Sequence, residues 1–174
     1  NVISYPKGVD ILEINTLDEN SLSKNIDFVI HLAGKTFVPK SWESPQEFYR
    51  TNTMGTQAVL DFCKQRELPL HFVSAYTYGI PKTLPISEDA EQNTNNPYSH
   101  SKYLAEQLCQ FYAKYLGLSI SISRLFNTYG PSQTKNFLIP QIITQAMTDK
   151  KIVLKSLSPK RDFIYIEDVT TAIL

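Results

Sequence analysis

Short apolar runs alternate along the chain with stretches whose apolar positions recur every three or four residues. Asp27-Phe28-Val29-Ile30-His31-Leu32 is one such run, and Leu70-His71-Phe72-Val73 is another. Continuous apolar runs of this length read as parallel strands buried on both faces. Residues 119–125 read as a further strand and residues 9–14 as a short one, with a turn and short helix over 18–25. Later in the chain, 138–149 read as a helix, 152–154 and 162–166 as short strands, and Glu167 begins a last helix.

Two stretches carry a clear helical period. Over residues 45–67, Phe48, Asn52, Gly55, Ala58, Val59 and Phe62 share one face. Gly55 inside a helix costs roughly 1 kcal/mol relative to Ala, so something is expected to approach it closely. Asn52 is polar on a core-facing stripe and needs a partner, either a backbone group in the core or a functional site. Over residues 97–116, Leu104, Ala105, Leu108, Phe111, Tyr112, Tyr115 and Leu116 continue an apolar stripe, and most of its aromatics are expected in the core. Asn96 reads as the N-cap, Pro97 as the first helical residue and Gly117 as the stop. Strands alternating with helices predict an α/β fold, a doubly wound parallel sheet. The loop over 75–96, with Pro81 and Pro85, is long enough to read as functional.

Composition narrows the classes. The chain has 174 residues, 42% hydrophobic and 20% charged, with net charge +0. That suffices for a domain with a real core. Nothing in the charge implies nucleic acid. No apolar run approaches the ~18 residues of a membrane span, nor reads as a signal peptide. Cys63 and Cys109 both fall in predicted helices without C-x-x-C spacing, which reads as buried thiols in a reducing, cytoplasmic compartment. No metal site is expected.

Candidate chemistry gathers at strand ends. In open α/β sheets, ligands bind beyond the carboxyl ends of the strands. Here those ends carry Ala33-Gly34, Ser74 and Asn127. Taken alone, Ala33-Gly34 reads first as a plain strand-to-loop turn. Tyr98 and Lys102, four residues apart on the 97–116 helix, project from one face. Such a pair also occurs by chance on amphipathic helices. A free phenol titrates near 10, and a neighbouring ammonium favours the phenolate. Lowering it to near 7 takes about 4 kcal/mol.

The chain carries, in order, His31-Leu32-Ala33-Gly34, Asn52-x-x-Gly55-Thr56, Ser74 through Tyr78-Gly79, Tyr98-x-x-x-Lys102, Arg124-Leu125-Phe126-Asn127 through Gly130-Pro131, and Arg161-Asp162-Phe163-Ile164-Tyr165. In this order and spacing these motifs resemble the extended short-chain dehydrogenase/reductase family, of nucleotide-sugar epimerase/dehydratase type. The resemblance covers nearly the whole chain. It implies a Rossmann-like domain over 1–134 that lacks its first strand, then part of a small substrate domain over 135–174. It implies NAD as cofactor, with NADP an alternative, lying along Leu32, Ala33, Gly34 and Thr36. Asn52, Tyr98, Lys102 and Phe126 would also touch the cofactor, with Asn15 and Thr16 near the adenine. Ser74, Tyr98 and Lys102 would be catalytic: Tyr98 takes a proton from a sugar hydroxyl, Lys102 holds ribose hydroxyls, and Ser74 hydrogen-bonds the same oxygen and stabilises it as it becomes a ketone. Asn127 and Arg161 would hold the diphosphate of a nucleotide sugar; Arg161 could instead pair with Asp162 or Glu167.

The resemblance has gaps. The Gly-rich strand–turn–helix that grips a pyrophosphate is absent, since the sequence starts beyond it. Both ends therefore read as cut from a chain of roughly 300 residues. Dehydratases of this type carry an acidic pair after the catalytic Ser/Thr, and here those positions are Ala75 and Tyr76. The expected activity is therefore C4 epimerisation of a nucleotide sugar through a keto intermediate. The alternatives are a reductase or dehydrogenase with the same triad and a non-catalytic dinucleotide-binding protein. Relatives also imply a homodimer paired through the helices over 45–67 and 97–116.

Overall fold

The computed structural model describes residues 10–16, 26–148 and 151–174. It forms two compact units, residues 1–124 and 125–174. Both are α/β with parallel strand pairing.

In the first unit, strands β1 (Val29–His31), β2 (Leu70–Ala75) and β3 (Ile120–Leu125) form one sheet in that order. β1 and β2 run parallel, with Val29 opposite Leu70 and His31 opposite Phe72. Helix α3 (Gly55–Gln65) and the long helix α4 (Pro97–Leu116) lie between these strands in sequence. Val59, Leu60, Phe62 and Cys63 of α3 meet Leu70 and Phe72 of β2 and Ala105, Cys109 and Tyr112 of α4 in one core. Burying a side chain such as Phe72 contributes roughly 1.5–3 kcal/mol. Cys63 and Cys109 are free thiols in that core, and burial pushes both up to about 12.

α4 begins and ends as its sequence dictates. Asn96 Oδ1 accepts from Ser99 N at 2.9 Å, Pro97 takes the first turn, and Gly117 closes the helix at φ +69. Its stripe is narrower than expected. Tyr112 is buried, but Phe111 and Tyr115 are 52% and 63% exposed, and Leu116 is exposed too. The apolar face of α4 is wider than the surface the core offers it.

The 45–67 helix is interrupted. α2 (Pro45–Phe48) passes into a π-helical turn, Tyr49–Met54, before α3 begins. Such turns recur at functional sites, and here the turn holds the buried Asn52. Helix α1 (Val38–Glu43), which no apolar period announces, precedes α2.

The strand expected over 9–14 is a 3-10 helix in its described part, Ile11–Thr16. Asp10 turns the backbone. Its side chain accepts from Leu12 N at 3.2 Å and its carbonyl from Glu13 N at 2.9 Å, bonds that compete with a strand ladder. Ile11 is the group that approaches Gly55: a Cβ there would lie 2.7 Å from Ile11 Cγ2. The helix expected over 18–25 lies outside the described residues.

In the second unit, β4 (Asn127–Tyr129) pairs in parallel with β5 (Phe163–Tyr165), Asn127 opposite Phe163. Helix α5 (Leu138–Thr148) matches the expected helix, and α6 (Ile166–Ile173) follows β5 directly. Residues 152–154 form no strand. The Gln145 side chain takes the backbone bonds a neighbouring strand would supply, accepting from Val153 N at 2.8 Å and donating to Val153 O at 3.2 Å. Among the described residues, no helix is long and apolar enough to cross a membrane.

Candidate active site

β2 delivers Ser74 to its carboxyl end, and α4 packs along that strand. Lys102 is buried on this face, its Nζ 4.2 Å from the centre of the Phe72 ring. It donates to Val73 O at 2.7 Å, one residue before Ser74. Burial lowers the ammonium to about 8, because the charged form loses water. The lysine of the helix therefore bonds the peptide that leads into Ser74.

Tyr98 stands one turn earlier on α4 and packs edge-on to Phe48 of α2, ring centres 6.4 Å apart. Its phenol is not lowered. Burial pushes it up to about 12, while the Lys102 ammonium hydrogen-bonds the Val73 carbonyl. Proximity on one helix face does not by itself aim the two head groups at each other.

The loop after β1 is tied to the same turn of α4. Asn52 Oδ1 accepts from Lys35 N at 2.8 Å, and Asn52 Nδ2 donates to Lys35 O at 3.0 Å and to Ser101 Oγ at 2.9 Å. Ser101 Oγ donates to Tyr98 O at 2.7 Å. Asn52 has thus found the partners its buried position required. Leu32, Ala33, Gly34 and Thr36 stay exposed at the strand end, open to a ligand. A Cβ at Gly34 would come within 3.1 Å of Asn52 Oδ1, so the loop lies tightly on the π turn.

His31 is buried below this loop, 3.0 Å from Thr56 Oγ1. The Thr56 hydroxyl already donates to Asn52 O at 2.6 Å, so His31 Nε2 must be the donor to Thr56. Burial and then the Lys102 charge lower this imidazole to about 3.

Other expected site residues lie apart from this cluster or in the second unit. Asn15 lies in the 3-10 helix and reaches Ala58 O of α3 at 3.4 Å, and Thr16 ends that helix. Phe126 precedes β4. Asn127 Nδ2 donates to Asp162 O at 2.9 Å, which brings Asn127 beside the segment that carries Arg161. Arg161 is exposed, and its guanidinium donates to Lys160 O at 2.9 Å.

Sequence reasoning missed one group. Glu106 is fully buried and accepts a short hydrogen bond from Ser74 Oγ. Its other oxygen accepts from Arg124 Nε and Gln92 Nε2, both at 2.9 Å. Arg124 also donates to Tyr78 Oη and to Glu88 O, each at 2.8 Å. The signal was present: Glu106 is four residues past Lys102 and eight past Tyr98, a charge beside Ala105 on a core-facing stripe.

Comparison with known proteins identifies the family. The family model described as NAD dependent epimerase/dehydratase family matches residues 5–174. GDP-6-deoxy-D-talose 4-dehydrogenase from Aggregatibacter actinomycetemcomitans is 37% identical over 147 residues, 82% of this chain and 49% of that protein. Among solved structures, RMD from Pseudomonas aeruginosa complexed with NADPH is 30% identical with TM-score 0.87, covering 98% of this chain and 62% of that one. UDP-glucuronic acid 4-epimerase from Bacillus cereus, in complex with UDP-glucuronic acid and NAD, is 33% identical with TM-score 0.82, covering 95% and 54%. The chain spans about half the length of the curated relatives it matches. With the family model matching nearly end to end, the chain belongs to the NAD dependent epimerase/dehydratase family.

Proposed function

We propose that the protein of which this chain forms part is an NAD-dependent nucleotide-sugar epimerase, working at C4 through a transient keto-sugar. The observation that carries the reading is the bond from Lys102, on the helix that bears Tyr98, to the Val73 carbonyl beside Ser74 at the end of β2. The Ala75 and Tyr76 positions speak against dehydration, which needs acidic groups there to expel water.

The residues fit a dinucleotide. The exposed loop 32–34 leaves the carboxyl end of β1, as ligand-binding loops of open α/β sheets do. Asn52 holds the next peptide of that loop rigid. Leu32, Ala33, Gly34, Thr36, Asn52 and Phe126 would touch the cofactor, with Asn15 and Thr16 near the adenine. Bound NAD supplies the hydride acceptor and, when oxidised, a positive charge. Lys102 would hold ribose hydroxyls with the protons its ammonium does not give to Val73. Tyr98 would take the proton of the sugar hydroxyl, and Ser74 would touch the same oxygen. Asn127 and Arg161 would grip the diphosphate, Arg161 through the match of a guanidinium to phosphate oxygens.

A dehydrogenase or reductase using the same groups is the second reading. The talose dehydrogenase and the NADPH-bound neighbour favour it. The cofactor balance of the full-length protein separates the two. An epimerase turns over with no net change in NADH, whereas steady accumulation or consumption of reduced cofactor assigns the second reading. Pairing of two copies through α4 and the 45–65 helices belongs to the same proposal, supported by the exposed Phe111 and Tyr115. Light scattering of the full-length protein tests it, and a monomer would remove it. Two free buried thiols suit a cytoplasmic location.

A further inference from the structure

We propose that Glu106 is a positioning residue that acts through Lys102, its buried carboxylate being the counter-charge that keeps Lys102 an ammonium near neutral pH. The inference rests on the proposed function only for what that ammonium then holds, and on geometry for the pairing.

A charge taken out of water must meet an opposite charge or give up its ionisation. Lys102 is buried, and its Nζ donates to a neutral carbonyl, Val73 O, and lies over the Phe72 ring. Neither neighbour carries a full charge. Among the described residues, Glu106 is the one buried carboxylate. It stands four residues further along α4, one turn on along the same face. Both head groups reach consecutive residues of one strand: Lys102 Nζ bonds Val73 O at 2.7 Å, and Glu106 Oε1 accepts from Ser74 Oγ. α4 thus lays an ammonium and a carboxylate along the same end of β2.

The other groups around Lys102 do not supply the charge. His31 of β1 is neutral above about 3, and Tyr98 and Cys109 of α4 are pushed up to about 12. Burial lowers Lys102 itself to about 8, with Cys109 and Glu106 pulling the other way. The thiol is neutral where Lys102 titrates, so the carboxylate is the anion that counts. Glu43 of α1 and Glu47 of α2 are exposed and paired with Lys40 and Lys35. Arg50 of the π turn pairs with Asp10, and Asp61 of α3 accepts from Tyr112.

The carboxylate is held from behind. Arg124 Nε and Gln92 Nε2 clamp Oε2, both at 2.9 Å, and Arg124 is itself fixed by Tyr78 Oη and Glu88 O. One buried carboxylate therefore serves two cations, Lys102 and Arg124. Without its charge both cations face a neutral group. A guanidinium does not deprotonate, so Lys102 is the group that yields.

The test uses the full-length protein with lysine isotope-labelled at Cε, so that nuclear magnetic resonance follows each ammonium, and Lys102→Met to assign the peak. Wild type is expected to titrate near 8. Glu106→Gln keeps the shape and removes the charge, and should lower the Lys102 midpoint by about 1–3 pH units. Ser74→Ala removes the neutral bond to Oε1 and leaves the charge, and should barely move the midpoint. An unchanged or raised midpoint in a folded Glu106→Gln, or an equal fall in Ser74→Ala, overturns the inference. NAD affinity read against pH carries the same sign. Its alkaline fall should begin at lower pH in Glu106→Gln, and acid should restore it toward wild type. A glutamate that only held the fold would give a loss that acid does not restore, and that result counts against the inference. A further measurement needs no Glu106 variant. An infrared pH step across the Lys102 midpoint should perturb a carboxylate stretch in wild type and not in Lys102→Met, and no such difference overturns the pairing. If the protein binds no NAD, the proposed function fails, and the Lys102 midpoint decides this inference alone.

Discussion

Asn52 and the peptide of Lys35 close a ring of two hydrogen bonds, one accepted at 2.8 Å and one donated at 3.0 Å. The amide imitates the edge of a neighbouring strand at the point where β1 ends and no strand partner follows. Its second amide proton goes to Ser101, so every hydrogen-bonding atom of the side chain facing this site is used. One residue in a π turn therefore couples the loop after β1 to the turn of α4 that bears Tyr98.

Asn52→Ala leaves Lys35 N and Lys35 O without their side-chain partner and takes from Ser101 Oγ the donor it accepts, while Ser101 keeps its bond to Tyr98 O. Each buried group left without its partner costs about 1–3 kcal/mol. We expect a loss of stability of that order in urea titration, together with weaker NAD binding. Asn52→Asp separates the bonds, since a carboxylate still accepts from Lys35 N but cannot donate to Lys35 O or Ser101. It should keep part of the stability and lose the loop geometry. If NAD affinity is the same in both variants and wild type, the loop does not hold the cofactor.

Much of this was legible in the residues themselves. Asn96-Pro97 and Gly117 bracket α4 through local chemistry that tertiary contacts did not override. The burial of Asn52 and the crowding at Gly55 were readable because a polar residue and a glycine on an apolar stripe each need a cause. The identity of the causes was not readable, because Lys35 and Ile11 come from distant stretches of chain. The π turn escaped because a one-residue insertion in a helix barely disturbs an apolar period. Phe111 and Tyr115 misled because periodicity reports which side is apolar, not how wide the core is. Glu106 escaped because a charge within a helix reads as surface unless its partners, here Ser74 and Arg124, are known.

His31 makes the fold sensitive to acid. Burial holds its imidazole near 3, against 6.5 unfolded. Between those values the unfolded chain binds a proton that the folded chain refuses. Stability contributed by the neutral ring is complete above pH 6.5 and is lost as pH falls through about 3. The total reaches up to about 5 kcal/mol. His31→Gln keeps an N–H for Thr56 and cannot titrate. Denaturation at a series of pH values should show a flatter acid limb for the variant, and parallel limbs would mean that another group governs it.

Tyr98 should titrate differently with and without cofactor. Burial alone places the phenol near 12. A positive charge brought within a few ångströms favours the phenolate and lowers it by about 1–3 pH units. Ultraviolet difference titration of the full-length protein, with Tyr98→Phe to mark the band, should show the drop on adding NAD. The same variant keeps the edge-on contact with Phe48, since only the hydroxyl is removed. Its kcat should fall by about 10²–10⁴ with NAD affinity retained, the range for loss of a general acid–base group. Retained turnover would take the proton-transfer role from Tyr98.

Gly79 and Gly117 share a backbone conformation, φ +69, and should respond differently to the same substitution. At Gly117 an added Cβ meets nothing within 4 Å, so Gly117→Ala costs only the left-handed conformation, about 1–2 kcal/mol. At Gly79 the Cβ would sit 2.2 Å from the carbonyl oxygen of Asn93, which is backbone and cannot swing aside. That contact lies where Asn93 N bonds Thr77 O at 3.0 Å, beside the Gln92 that clamps Glu106. Gly79→Ala must move the 76–96 loop and should lower both the melting temperature and turnover by far more than Gly117→Ala. Equal melting temperatures for the two variants would show that the loop yields freely, and the Gln92 clamp would then not be rigid.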